Sequence, residues 1–239
     1  CLVLVVHGMA GSAPKIPVGP RTSCVTCSCQ DPVPHPTFSR NSRTMPGSIL
    51  DLDPENGHQP APGRLLVSEP YLPDPYFRRT VVLLCEHNAE GSFGFVLNRF
   101  IEMAIGDLMD DMPPIKSRIS IGGPVQSSNL YYLHTLGKHI EGSVAVLDDV
   151  HMGGDFDQLR AVLTADPKLA KHVRFFVGYS GWREGQLEKE LGQRSWLVYP
   201  ADKRRVMNTS LKDLWGDTLR GMGKAFAPLA NFPDDPTQN

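Results

Sequence analysis

Three closely spaced prolines, Pro70, Pro73 and Pro75, stand between two apolar runs and constrain this chain more than any other feature. Each proline fixes φ and removes a backbone N–H, so a β ladder cannot run through them. The stretch Gly63 to Asn98, GRLLVSEPYLPDPYFRRTVVLLCEHNAEGSFGFVLN, is therefore expected to hold separate strands. Arg64 to Ser68 is the first, short and apolar enough to be buried. Thr80 to Cys85 is the second, an almost unbroken apolar β run. Glu90-Gly91 marks a turn before a third strand, Phe93 to Leu97.

The chain beyond continues the alternation of periods. Phe100 to Met112 reads as a short helix, with Ile105, Leu108, Met109 and Met112 near helical spacing and Pro113-Pro114 ending it. Ile119 to Ile121 is a brief strand entering Gly122-Gly123-Pro124, where a turn with positive φ is expected. Leu130 to Leu136 and Ser143 to Leu147 are further strands. Asp155 suits the N-cap of a helix carrying Phe156, Leu159 and Leu163 on one face. Val173 to Tyr179 is a strand, and Trp182 to Leu191 is a helix expected to start at a Ser180 N-cap and end at Gly192. Ser195 to Tyr199 is a last strand. Ser210-x-x-Asp213 opens a final helix with the stripe Leu211, Trp215, Leu219, Met222 and Phe226, ended by Pro228. About eight strands and about four helices predict an α/β (α+β) domain built on a mixed sheet.

The first 60 residues depart from this pattern. Prolines are scattered there among Ser, Thr, Gly and Asn without any period of 2 or 3.6. Such a composition cannot bury enough apolar surface to offset the entropy of ordering it. Residues 1–60 are thus expected as a disordered or non-native N-terminal extension, with the natural start at Met45. The domain is expected over 61–232, with a polar tail over 233–239.

Four of the five cysteines, Cys1, Cys24, Cys27 and Cys29, lie in that extension. The single knuckle Cys24-x-x-Cys27-x-Cys29 falls short of the four ligands a structural zinc site needs. No metal or cofactor is assigned. One core cysteine, Cys85, fits a reducing, cytosolic compartment. The 24 basic and 26 acidic residues give a formal net charge of −2, so direct DNA binding is not expected. No apolar run reaches the ~18–20 residues that cross a bilayer, so no membrane association is expected.

No motif carries chemistry by itself. Gly178-Tyr-Ser180-Gly181-Trp182 has its second glycine out of register for a nucleophile elbow. Cys85 and His87 would share a face of a continuous strand, and a Cys–His pair with His134 could activate a thiolate or begin a metal site. The plainer reading makes Cys85 a core residue and His87 a turn cap. Asp148, Asp149, His151, Asp155 and Asp157 lack EF-hand spacing and have ordinary work at a turn and a helix start.

Taken together, Leu72-Pro-Asp-Pro-Tyr-Phe-Arg-Arg-Thr-Val81, Cys85-Glu-His-Asn88, Gly94-Phe-Val-Leu-Asn98, Gly122-Gly-Pro124, Leu133-His134 and Gly178-Tyr-Ser-Gly-Trp-Arg-Glu-Gly-Gln-Leu-Glu188 followed by Trp196 form a specific pattern. From about Gly63 to Phe226 the chain resembles the bacterial AlgH/YqgE family. The resemblance implies a mixed sheet partly curled into a small barrel, flanked by helices. It implies an uncharacterised cytosolic protein labelled a transcriptional regulator, acting through an unknown protein or small-molecule partner. No catalytic residues carry over. The positions matching the family pattern are the candidates for a shared ligand site: Arg79, Glu86, His87, Asn98, Gly122, Gly123, His134, Trp182 and Gln186, with Trp196 beside them. Two alternatives stand, an enzyme or ligand site near Cys85–Asn88 and Gly122–Gly123, and a protein–protein interaction module. The first requires those segments to converge on one cleft.

Overall fold

Hydrophobic alternation places the strands between two packed faces, as the residue pattern demands. The structure, a computed structural model, describes residues 5–6, 58–109, 112–115 and 117–233; the expected start at Met45, the cysteines of the extension and nearly all of the polar tail lie outside them. In chain order the strands are β1 (Val5–Val6), β2 (Arg64–Ser68), β3 (Val81–Asn88), β4 (Gly91–Val96), β5 (Phe100–Ile101), β6 (Ile119–Ile121), β7 (Val125–His134), β8 (Val144–Leu147), β9 (Val150–Met152), β10 (Val173–Arg183) and β11 (Trp196–Pro200). The helices are α1 (Ile105–Leu108), α2 (Phe156–Ala165), α3 (Gln186–Gly192), α4 (Lys203–Met207) and α5 (Leu214–Gly221).

The sheet runs β11-β2-β3-β4-β10-β7-β9-β8, with β6 and β5 branching from β10 and β1 from β7. Most pairs are antiparallel; β6–β10 and β1–β7 are parallel, so the sheet is mixed as expected. It is not closed into a barrel. The terminal strands β11 and β8 come near each other without a ladder. Lys203 Nζ meets Asp149 Oδ2 at 3.1 Å, and a Cβ on Gly63 would lie 2.8 Å from the Val146 carbonyl. Pro62 and Pro200 flank that seam, where missing N–H groups discourage further pairing.

Strand alternation sorts side chains into distinct cores. Leu65, Val67, Val81, Leu83, Phe93 and Phe95 pack with Trp215 and Leu219 of α5. Leu66, Val82, Leu84 and Val96 face the other way, toward Trp182, Leu187 and Trp196 under α3. A third cluster joins Ile119, Leu130 and Phe175 to Leu159 and Leu163 of α2. Each fully buried aliphatic side chain contributes roughly 1.5–3 kcal/mol of burial free energy, so these faces dominate stability.

Several sequence expectations are revised. Phe100 to Met112 holds a two-residue strand and one turn of helix rather than a continuous helix. Phe100 and Ile101 pair with Ser120 and Ile119, and that ladder outweighs the weak helical stripe. Ser180 lies inside β10, fully buried, and donates to the Gly122 carbonyl at 3.0 Å; Gly185, with φ 68°, occupies the N-cap of α3. The final helix is capped by Asp213 and is shorter than its stripe, ending at Gly221. Strand β9 and helix α4 are additional elements too short to leave a periodic signal.

Candidate functional site

Arg79 is the residue around which the site builds. It sits at φ 51°, a left-handed conformation that costs an ordinary side chain about 1–2 kcal/mol. Asn98 holds it there. The Asn98 side chain donates to the Arg79 carbonyl at 2.8 Å and accepts from the Val81 N–H at 3.0 Å. This turn sends the Arg79 guanidinium over the Trp215 ring, 4.7 Å from its centre, with one N–H donated to the Phe232 carbonyl. Trp215 is in turn fixed by its indole N–H on the Ser68 carbonyl at 2.9 Å.

A cavity of about 350 Å³ opens beside this pair, bounded also by Phe100, Arg118, Lys212 and Asp213. Arg118 lies 3.9 Å above the Phe100 ring and donates to the Thr209 carbonyl at 3.0 Å. Two guanidinium groups stacked on two aromatic rings thus both line this cavity. A planar guanidinium donates in its own plane, in a geometry that matches carboxylate or phosphate oxygens. Asp213 is committed elsewhere: it caps α5 through the Gly216 N–H at 2.9 Å and pairs with Arg220 at 3.2 Å.

Of the nine sequence candidates, Arg79 and Asn98 line this cavity. The others are distributed differently. Trp182 and Trp196 both donate their indole N–H to one oxygen of Glu190, at 2.9 and 2.8 Å, and Gln186 donates to its other oxygen at 2.9 Å. Phe77 packs against both indoles. His87 stands at the margin of this corner, its Nδ1 2.8 Å from the Ser92 hydroxyl and its Nε2 3.7 Å from Glu188 of α3. Glu86 accepts from Asn88 at 2.6 Å.

Gly122 and Gly123 serve close packing rather than a positive-φ turn. A Cβ on Gly122 would lie 2.3 Å from the Gly178 carbonyl, and one on Gly123 would lie 2.0 Å from the Tyr179 backbone; positive φ belongs to Gly178 opposite them. Neither glycine lines the Arg79 cavity, and neither do Cys85, His87 or Gln186. The Arg79 cavity is therefore not the cleft that an enzyme near Cys85–Asn88 and Gly122–Gly123 requires.

A bulge between Leu84 and Glu86 breaks the alternation that would have put Cys85 and His87 on one face. Cys85 points into the core, where burial pushes its thiol far above the ordinary range. His134 is fully buried, donates from Nε2 to the Gly153 carbonyl at 3.1 Å and stacks on His151. Burial pulls its imidazole down to about 4, so it is neutral near pH 7. Among the described residues no group of three or more His, Cys, Asp or Glu side chains is placed to hold a metal ion. The acidic cluster is dispersed: Asp155 caps α2, Asp157 pairs with Arg160, and Asp149 pairs with Lys203.

The family described as AlgH-like matches residues 65–227. The chain belongs to the AlgH-like family. A UPF0301 protein of Cytophaga hutchinsonii is 38% identical over 178 residues, covering 74% of this chain and 98% of the relative. A UPF0301 protein of Bacteroides thetaiotaomicron is 36% identical over 185 residues, 77% of this chain and 94% of the relative. The solution structure of the AlgH protein from Pseudomonas aeruginosa matches with a TM-score of 0.58 at 27% identity, over 74% of this chain and 98% of that one. A crystal structure of a protein from Corynebacterium diphtheriae matches with a TM-score of 0.60 at 25% identity, over 73% and 94%.

Sequence reasoning passed over the other residues of the AlgH-like cavity. Phe100, Arg118 and Lys212 sit in no motif, and Trp215 registered only as one member of a helical stripe. The pairing of each guanidinium with a ring arises from contacts between distant segments, so no local spacing announces it.

Proposed function

We propose that this AlgH-like chain works by binding, and that its ligand is a small anion held in the Arg79 cavity. The observation that carries this reading is the pair of guanidinium groups, Arg79 on Trp215 and Arg118 on Phe100, around a space of about 350 Å³. That volume suits a small molecule. Backbone strain retained at Arg79 supports the same reading, since such strain persists where the rest of the structure holds a residue for use. Binding is favoured over catalysis because Cys85, the sequence's best nucleophile, is sealed in the core.

In the cell this would make the protein a cytosolic sensor whose occupied state acts on a protein partner, including one that controls transcription. Direct recognition of DNA is not part of the proposal, given the net charge of −2. Isothermal titration with citrate and inorganic phosphate tests it. Saturable binding by either anion, weakened about tenfold by Arg79→Gln, is the expected result. No heat from either, or binding indifferent to Arg79→Gln, overturns the assignment.

A further inference from the structure

The seam where the two ends of the sheet approach each other holds a second cavity, of about 540 Å³, which shares no lining residue with the Arg79 cavity. One side is Gly63 and Arg64 at the start of β2. A second is the β8–β9 turn at Asp148 and Asp149, and the third is the chain from Ala201 into α4. A side chain at position 63 would point into the seam toward Val146, and glycine, at φ 76°, supplies none.

The charges that line this space divide into two kinds. Asp149 pairs with Lys203 at 3.1 Å, and Asp202 pairs with Arg205 while accepting its backbone N–H at 2.8 Å as the cap of α4. Arg64, half-buried, and Asp148, exposed, are left over. They line the same cavity, yet no ion pair joins them, and among the described residues neither side chain has a hydrogen-bond or ion-pair partner. The cavity thus presents one unpaired cation and one unpaired anion that do not satisfy each other.

The remaining lining is apolar or backbone. Pro62, Val146, Leu147 and Ala201 form the apolar part. Strand β8 is the last of the sheet, so its outer N–H and C=O groups have no ladder partner among the described residues. An extended peptide backbone supplies the donors and acceptors that such an edge lacks. An extended dipeptide also holds its two terminal charges about two residue lengths apart, ~7 Å.

We propose that this seam binds a free dipeptide with apolar side chains, its carboxylate on Arg64 and its ammonium on Asp148. Both termini are ionised near pH 7, since the α-carboxyl titrates at about 3.5 and the α-amino group at about 8. A single amino acid carries the same charges but would leave much of the space unfilled. The site is separate from the anion-binding reading above and does not depend on it.

Isothermal titration of the full chain at pH 7 provides the test. The probes are leucyl-leucine, its N-acetyl form, which lacks the ammonium, and leucyl-leucinamide, which lacks the carboxylate. Leucyl-leucine is expected to bind about tenfold or more tighter than either blocked form. Arg64→Gln should remove its advantage over the amide, and Asp148→Asn its advantage over the acetylated form, each leaving the other advantage in place. Neither substitution removes a contact made within the described residues, so the melting temperature should hold in both variants. No heat from leucyl-leucine, equal binding of all three probes, or advantages that survive the two substitutions overturns the proposal. Binding of the amide as tight as that of the free dipeptide points instead to the N-terminus of a protein partner and also overturns it. Excess citrate should leave the dipeptide affinity unchanged; competition would move the dipeptide to the Arg79 cavity and overturn the assignment to the seam.

Discussion

Two aromatic corners of this molecule are built from similar residues and end in opposite electrostatic states. Under α3, Trp182 and Trp196 each place an indole N–H on Glu190, with Gln186 and Phe77 closing the cluster. Beside α5, Trp215 and Phe100 carry Arg79 and Arg118, and a carboxylate that lines the same cavity, Asp213, is occupied by the helix cap and Arg220. The first corner is satisfied within the chain. The second gathers two ring-stacked guanidinium groups around an open space. Aromatic and polar residues in one neighbourhood therefore say little about function until the counter-charge has been located.

The sharpest way to break this comparison is to remove the carboxylate that closes the first corner. Glu190→Ala leaves two largely buried indole N–H groups without acceptors and should cost about 2–4 kcal/mol in a denaturant titration. It should leave citrate and phosphate binding unchanged. If both properties fall together, the two corners are one unit and the contrast fails.

In the second corner the expected losses reverse. Arg79→Gln should weaken phosphate or citrate binding about tenfold, equivalent to ~1.4 kcal/mol, with a smaller change in stability. Arg79→Gly should weaken binding at least as much yet be about 1 kcal/mol more stable than Arg79→Gln, since glycine adopts φ 51° without strain. Equal stability of the two variants would show that the left-handed backbone at this position stores nothing.

The smallest effect concerns pH. His134 is held neutral in the fold, at about 4 against an ordinary 6.5, chiefly by burial. The unfolded chain thus binds more protons between those values, so stability should rise with pH across that window and be lost as pH falls through it. His134→Gln should make the slope of melting temperature against pH shallower over the same range, while the affinity for citrate at neutral pH stays the same. An unchanged slope would assign the acid sensitivity to other groups.

Much of the scaffold was legible because it depends on local rules. Pro70, Pro73 and Pro75 do separate β2 from β3, and Asp155 does cap α2. The failures have physical causes as well. The Leu84–Glu86 bulge, invisible to a period-2 pattern, turned Cys85 and His87 to different surroundings. Ser180 reads as a helix cap until β10 is seen to extend through Arg183, paired with Gly91 on β4. Of the candidate site, Arg79 and Asn98 emerged from family-like motifs, while Arg118 and Lys212 carried no signal.

By itself, then, the sequence determined the alternation of strands and helices, the breaks at the prolines and the kinship with AlgH-like proteins. These follow from backbone restriction, hydrophobic period and the identity of many residues in order. Tertiary structure alone decided that the sheet stays open and that two glycines serve close approach to β10. It also decided that a guanidinium from β10 lies near Phe100 with no carboxylate paired to it among the described residues. The reason is that charge compensation is a property of neighbours in space. Arg174 meets Leu97, Ser120 and Val206 across intervals of up to 77 residues, and no local pattern records such a meeting.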